Sequence, residues 1–79
     1  MITLYSSDNC PACKKAKQHL QARNAKFVVK NISLSKQACN ELSDLGFGSV
    51  PVLFDHEKKS LICVGYSKNE IDKYLKGGK

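Results

Sequence analysis

Two cysteines stand close together near the start of the chain, in the segment Cys10-Pro11-Ala12-Cys13. Residues 2–6 favour a strand, and residues 11–23 favour a helix. Pro11 suits the first position of that helix, because its φ is fixed near the helical value and its missing N–H is not needed there. Cys10 then lies at the positive end of the helix dipole, which stabilises a thiolate. The segment predicts a strand–loop–helix unit in which Cys10 attacks and Cys13 resolves a reversible disulfide.

Thiol–disulfide exchange needs a thiolate, and an ordinary thiol, with a pKa of about 8.5, is mostly protonated at neutral pH. Lys14 and Lys17 lie close enough in sequence to favour negative charge at Cys10, and Asp8 opposes it by a smaller amount. We expect Cys10 to form a mixed disulfide with a partner. Cys13 then attacks Cys10 and releases the reduced partner.

The chain has 79 residues, enough for one domain with a small core. Its hydrophobic fraction of 42% and charged fraction of 25% are ordinary for a globular protein. The apolar runs are too short to cross a membrane, and the first residues lack the features of a signal peptide. We therefore expect a cytoplasmic protein without membrane association.

The chain contains four cysteines, and in the absence of an export signal these favour catalytic or metal-binding thiols over a disulfide framework. Cys39 and Cys63 have no near partner in sequence, and we expect both to be core or half-buried thiols, since free cysteine packs like a small hydrophobe. An accessory or regulatory disulfide is the alternative. His19 and His56 are predicted to be solvated. The net charge of +6 should speed encounter with acidic partners.

The remaining segments alternate between strand and helix signals. Residues 27–32 favour a second strand, and the continuous apolar start of that segment predicts a central or next-to-central position in the sheet. Ser35 can cap a second helix, in which apolar residues recur at Ala38, Leu42 and Leu45, and Gly46 suits a left-handed helix end. This pattern predicts a helix that packs one face on the sheet.

Two further strands, residues 52–54 and 61–64, flank a polar loop and predict an antiparallel hairpin. Ser67 and Glu70 form a capping box before the last helix, which ends at Gly77-Gly78. The predicted order is βαβαββα, with a parallel crossover at the front. The sequence therefore predicts an α/β chain with a thioredoxin-like fold: a four-stranded mixed sheet flanked by three helices, on both faces.

The first part of the chain resembles the glutaredoxins. The resemblance rests on Tyr5-Ser6, the CPAC segment at 10–13, Ala16-Lys17 and Leu20. In that family the opening reads Y-S…C-P-Y-C…A-K…L, with a tyrosine where this chain has Ala12. The second part, Gly46-Phe47-Gly48-Ser49-Val50-Pro51-Val52-Leu53 followed by Gly65-Tyr66, is similar to segments of the NrdH-type redoxins, the glutaredoxin-like hydrogen donors of ribonucleotide reductase.

Together the two resemblances cover nearly the whole chain and imply a single glutaredoxin-like domain over residues 1–79. Pro11 is the glutaredoxin choice between the cysteines. Ser7 and residues 64–68 depart from the glutaredoxin pattern, because glutaredoxins carry at these two places groups that hold glutathione. These departures favour the NrdH branch.

The resemblance implies a dithiol–disulfide oxidoreductase that reduces protein disulfides, with ribonucleotide reductase as the leading acceptor. It implies no tightly bound cofactor: electrons come from NADPH through thioredoxin reductase or, in the alternative of a glutathione-dependent glutaredoxin, from glutathione. We also expect a monomer.

The resemblance also implies a second part of the site. A cis peptide bond at Val50-Pro51 would aim the backbone N–H and C=O of Val50 at an incoming chain, which could pair as a short extra strand. Gly65 and Tyr66 would line the same groove. The substrate-binding residues expected on this basis are Pro11, Ala12, Lys14, Val50, Pro51, Gly65 and Tyr66.

Two other classes of function are weaker alternatives. The CxxC pair is half of a zinc site, but no second CxxC or HxxxH segment supplies the other half. An iron–sulfur cluster bridged between two copies through Cys10 and glutathione is a further metal alternative. Nucleic-acid binding is suggested only by the basic pI of about 9.3, without a recognisable binding motif, and we expect no nucleic-acid partner.

Overall fold

A four-stranded sheet with helices on both faces forms the body of the protein, in a computed structural model that describes residues 2–77. The element order confirms the predicted βαβαββα sequence. The elements are β1 (Ile2–Ser6), α1 (Pro11–Ala22), β2 (Phe27–Asn31), α2 (Lys36–Asp44), β3 (Val52–Asp55), β4 (Ser60–Val64) and α3 (Lys68–Gly77).

The strands lie in the order β2-β1-β3-β4. β1 pairs in parallel with β2, where Leu4 lies opposite Val29, and antiparallel with β3, where Leu4 lies opposite Leu53. β3 and β4 form the predicted antiparallel hairpin, with a register shift between Leu53 and Phe54. The mixed sheet is therefore confirmed, with β1 and β3 at its centre.

β2 is the edge strand next to the central β1, so of the two predicted places the next-to-central one is found and the central one is not. Val28 and Val29 each keep 42% of their surface exposed. The chain returns through β3 and occupies the free side of β1, so β2 keeps one neighbour. A short apolar run indicates that its residues favour a strand. It does not indicate how many strands lie beside it, because that depends on where the later β3–β4 hairpin joins the sheet.

Each face of the sheet has its own apolar cluster, because successive side chains along a strand point to opposite faces. Leu4 and Leu53 point to one face, where Leu20 of α1 and Ile71 of α3 cover them. The other face is covered by α2, with a second cluster of Tyr5, Leu42 and Val52. The CxxC segment thus begins a helix that is held against the sheet by a fully buried side chain.

The helix ends follow the predicted signals. Ser35 Oγ accepts a hydrogen bond from the N–H of Ala38 at 3.2 Å and caps α2. Gly46 has a φ of 91°, the left-handed conformation expected after that helix. Ser67 Oγ accepts from the N–H of Glu70 at 3.3 Å, which is one half of the predicted capping box. The last helix is described to Gly77, and the predicted Gly78 lies outside the described residues.

Tyr5 holds a polar network beneath α2. Its hydroxyl donates to Glu41 Oε1 at 3.2 Å, and Lys30 Nζ donates to the same oxygen at 2.6 Å. His56 Nε2 lies 2.9 Å from the Tyr5 hydroxyl, so it must be the donor in this pair. The ring of His56 also packs on Phe54, with centroids 4.9 Å apart. His56 is exposed, as predicted, and the structure adds a partner for its ring, Tyr5, which is distant in sequence.

Two tyrosines are expected to ionise at a higher pH than usual in the folded protein. Burial, with the Glu41 carboxylate as a second cause, raises the pKa of Tyr5 to about 12. Burial also raises the pKa of Tyr74 to about 12, helped by its hydrogen bond to Asp55 Oδ2. The neutral form is favoured by the fold, so this stabilisation is complete below the ordinary tyrosine pKa of about 10 and is lost as pH rises through 12.

We expect Tyr5→Phe and Tyr74→Phe each to remove one late-ionising tyrosine from an ultraviolet absorbance titration of the native protein. Tyr5→Phe should also cost about 1 kcal/mol at neutral pH through its lost hydrogen bonds. Urea unfolding between pH 8 and about 12 would check the sign, since wild-type stability should fall with rising pH more steeply than that of either variant. Ionisation of both tyrosines near pH 10 in the folded protein would contradict this expectation.

Candidate active site

The first turn of α1 is organised around Cys10. Cys10 is the N-cap residue, and its Sγ accepts a hydrogen bond from the backbone N–H of Cys13 at 3.2 Å. Pro11 occupies the start of the helix, as predicted. Asn9 has a φ of 57°, and this left-handed residue turns the chain from β1 into the helix. A sulfur therefore takes the place usually held by a capping oxygen, where it meets an N–H group and the positive helix end.

Cys10 and Cys13 form a disulfide, with their Cα atoms 5.2 Å apart. The two cysteines differ in exposure: Cys10 is half-buried, whereas Cys13 is 4% exposed and packs on the sheet side of the helix. Cys10 is thus the sulfur that a partner can reach. Cys13 lies within bonding distance of Cys10 but is shielded from solvent.

The charges around the pair are mostly positive. The first turn of α1 contains no acidic residue. Asp8 is exposed, and its carboxylate accepts a hydrogen bond from Asn31 Nδ2 at 3.0 Å, which ties it to the end of β2. Lys14 and Lys17 are exposed and border a pocket of about 770 Å³ together with Cys10.

The sequence predictions named part of this pocket and missed part of it. Asn9 and Lys15 also line it, although neither was singled out from the sequence. The asparagine before the CxxC segment was an available signal, since asparagine tolerates the left-handed region better than most residues. The complete lining is Leu4, Ser7, Asp8, Asn9, Cys10, Pro11, Cys13, Lys14, Lys15, Lys17 and Gln18.

The Val50-Pro51 peptide bond is cis, in agreement with the resemblance. Pro51 is buried and Val50 is half-buried. The backbone N–H of Gly65 donates to the carbonyl oxygen of Pro51 at 2.7 Å, so the structure brings these two predicted site residues together. Gly65 has a φ of 82°, a conformation that favours glycine.

Tyr66 lies over α1 at the side of His19, with ring centroids 6.2 Å apart and 36% of its surface exposed. It does not border the pocket that contains Cys10. The prediction of a solvated His19 is wrong: its side chain is 11% exposed, and Nε2 lies 2.7 Å from Asp72 Oδ1. Arg23 also binds this carboxylate, with Nε at 3.2 Å. Asp72 belongs to α3, so this partner could not be found from α1 alone.

The carboxylate of Asp72 joins α1 to α3. The hydrogen bond from His19 is the main cause that lowers the pKa of Asp72, and the positive charge of Arg23 lowers it further. Because the folded pKa is lowered, the contribution of this carboxylate to stability is complete above its ordinary pKa and is lost as pH falls below it.

The other two cysteines have different environments. Cys63 is buried, as predicted, and its thiol donates to the Gly65 carbonyl at 3.4 Å; burial raises its pKa. Cys39 is exposed, so the prediction of a core or half-buried thiol is wrong for this residue. Ala38 and Leu42 occupy the buried side of α2, and a one-residue step of about 100° turns Cys39 outward.

A CxxC pair at the start of the first helix, next to a four-stranded mixed sheet and a cis-proline loop, defines a redox protein of the thioredoxin-like class. Within residues 2–77, no cluster of three or more histidine, cysteine or acidic side chains is placed to hold a metal ion. No helix in the same part of the chain has the length and apolar character needed to cross a membrane.

Comparison with known proteins identifies the family. The family model described as Glutaredoxin matches residues 2–58, and the chain belongs to the glutaredoxin family. An uncharacterized glutaredoxin-like 8.6 kDa protein of the rubredoxin operon of Clostridium pasteurianum is 38% identical over 76 residues, which cover 95% of this chain and 97% of that protein.

NrdH proteins are also among the relatives. The glutaredoxin-like protein NrdH of Lactococcus lactis subsp. cremoris is 29% identical over 73 residues, covering 92% of this chain and 97% of that protein. The solved structure of the NrdH-redoxin of Escherichia coli has a TM-score of 0.78 and 24% identity, with 91% of each chain covered. The sequence similarity to NrdH agrees with the NrdH-type resemblance, and the structural likeness shows the shared fold. The protein is a thiol–disulfide oxidoreductase with a redox-active cysteine pair.

Proposed function

We propose that the chain is a hydrogen donor that reduces protein disulfides, with ribonucleotide reductase as the acceptor and thioredoxin reductase as the source of electrons. The observation that carries the reduction of disulfides is the asymmetry of the cysteine pair, and the similarity to NrdH proteins supports the choice of acceptor and electron source. Cys10 is accessible at a helix N-terminus, whereas Cys13 is 4% exposed within bonding distance. This arrangement suits two successive displacement steps at one accessible sulfur.

In the first step the Cys10 thiolate attacks one sulfur of the partner disulfide. The second partner sulfur leaves as a thiolate and takes up a proton from solvent. The Cys13 N–H, 3.2 Å from Cys10 Sγ, and the end of α1 stabilise the thiolate before attack.

In the second step Cys13 loses its proton and attacks Cys10 Sγ. The bond between Cys10 Sγ and the partner sulfur attacked in the first step breaks, that sulfur leaves as a thiolate and takes up a proton, and the Cys10–Cys13 disulfide forms. Two electrons have then passed from the pair to the partner. The product of this step has the same disulfide as the structure. A reductase must return two electrons before the next cycle.

The loop at Val50 is proposed to hold the incoming chain. Val50 is half-buried next to the cis bond, and the neighbouring Pro51 carbonyl accepts a hydrogen bond from the N–H of Gly65. The Val50 backbone is proposed to pair with a partner strand at this place. Tyr66 is proposed to border the same groove, from its place over α1.

The electron source can be tested by side-by-side turnover. Oxidised protein would be supplied either with NADPH and thioredoxin reductase or with NADPH, glutathione reductase and glutathione, and NADPH consumption would be followed with insulin as acceptor. We expect thioredoxin reductase to support turnover at least about tenfold faster than glutathione. Rapid reduction by glutathione, with none by thioredoxin reductase, would overturn this assignment in favour of a glutathione-dependent glutaredoxin. Pro11 between the two cysteines is the feature of the sequence that agrees with that alternative.

The acceptor needs a separate assay. Pre-reduced protein would be added to oxidised ribonucleotide reductase without another reductant, and deoxyribonucleotide formation would be measured. We expect about one equivalent of product for each reduced pair, since each pair carries two electrons. Efficient reduction of insulin with no product from ribonucleotide reductase would separate the general activity from this acceptor.

A further inference from the structure

The pocket beside the disulfide is bordered by three lysines of α1. Lys14, Lys15 and Lys17 line the same space of about 770 Å³ as Cys10 and Cys13. All three lysines are exposed. A partner that brings its disulfide to Cys10 therefore also comes close to a positively charged side of the helix.

Among the described residues, no carboxylate neutralises these charges. In residues 2–77 the basic side chains Arg23 and Lys30 pair with Asp72 and Glu41, and no carboxylate there pairs with the three lysines of the pocket. Asp8, which also borders the pocket, accepts a hydrogen bond from Asn31 instead. The lysines are thus available for a carboxylate that a partner supplies.

The spacing of the lysines sets a distance from the reacting sulfur. Lys14 follows Cys10 by four positions, and Lys17 follows Lys14 by three. These spacings place the three residues along one side of the helix. A rise of about 1.5 Å per residue places Lys14 about 6 Å and Lys17 about 10 Å along the axis from Cys10. An extended peptide advances about 3.3 Å per residue, so about two to three residues cover that distance.

We propose that Lys14 and Lys17 select protein disulfides in which an acidic side chain stands about three residues from a cysteine. The proposal rests on the proposed reduction of protein disulfides and names the class of disulfide preferred. Val50, Pro51 and Tyr66 do not border this pocket. Backbone pairing at Val50 and charge pairing along α1 therefore act on different parts of the incoming chain.

The test uses pre-reduced protein and peptides in a single turnover, so that no reductase is needed. The peptides share one internal disulfide and differ only at the third residue on each side of it, which is glutamate, glutamine or lysine. We expect the glutamate peptide to be reduced about tenfold faster than the glutamine peptide at low ionic strength, and the lysine peptide more slowly than both. At 1 M salt, where the Debye length is about 3 Å, the three rates should converge.

Charge variants assign the preference to these lysines. The ratio of the glutamate to the glutamine rate is compared, because a change in the reactivity of Cys10 affects both rates equally. K14Q/K17Q should lower the ratio most of the way to one, with Lys15 left as the remaining positive charge of the pocket, and K14E/K17E should make the lysine peptide the fastest. K36Q/K73Q is the matched control: it removes the same charge from exposed positions outside the pocket, and should keep the wild-type ratio.

The outcomes separate the two proposals. If wild-type protein reduces all three peptides at equal rates at low salt, or if K36Q/K73Q lowers the ratio as much as K14Q/K17Q does, the assigned selection is wrong while disulfide reduction stands. If pre-reduced protein reduces none of the peptides and does not reduce insulin, the proposed function itself fails.

Discussion

Cys10→Ser is expected to lower disulfide reduction by roughly three orders of magnitude, since a serine hydroxyl cannot replace the attacking thiolate. Cys13→Ser should behave differently. It retains the accessible Cys10 and its place at the helix N-terminus, so the first displacement proceeds and the second does not. The variant should accumulate a mixed disulfide with its partner, visible as a mass adduct that dithiothreitol removes.

Cys39→Ser is the control for both variants. Cys39 is an exposed free cysteine on α2, and its replacement should leave turnover at the wild-type rate. Full activity of Cys10→Ser, together with adduct formation through Cys13, would invert the two roles. Such a result would require Cys13 to leave its buried position, where only 4% of its surface is exposed.

Leu53→Ala should destabilise the protein by about 3 kcal/mol, within the range of about 2–5 kcal/mol found for buried leucines. Leu53 is fully buried in β3, opposite Leu4 on one side and Cys63 on the other. Its truncation leaves a cavity at the centre of the larger apolar cluster. A domain of this length is stable by only about 4–12 kcal/mol, so the loss is a large part of the total.

Urea unfolding followed by circular dichroism would measure this loss. Leu61→Ala in the neighbouring strand is the matched control, because Leu61 keeps 43% of its surface exposed and should cost about 1 kcal/mol or less. Equal destabilisation by the two substitutions would show that the sheet centre is not the main apolar core. A change in the denaturant slope for Leu53→Ala would instead indicate loss of two-state behaviour.

Local signals in the sequence predicted the parts of the site that depend on neighbouring residues. The start of α1 follows from Cys10-Pro11, and the end of α2 follows from Gly46. The place of β2 at the sheet edge was not predictable in this way, because it depends on where β3 returns. The same reason applies to His19, whose partner Asp72 is 53 residues away.

In the active site, too, the features that depend on neighbouring residues were predictable and the others were not. The cysteine pair and its order of exposure follow from the helix start, which is local. The cis bond at Val50-Pro51 could be expected only through the family resemblance. The third lysine of the pocket, Lys15, was missed because helical spacing from Cys10 points to Lys14. The pocket beside the start of α1 is wide enough that Lys15, the next residue, lines it as well.

The different environments of Cys39 and Cys63 provide an internal standard for redox measurements. Cys39 is exposed, so a thiol reagent should label it whether or not the Cys10–Cys13 disulfide is present. Cys63 is buried and should react only after unfolding. The label on Cys39 therefore measures the total protein in each sample. The ratio of the label on Cys10 to the label on Cys39 gives the fraction of protein in which the Cys10–Cys13 pair is reduced.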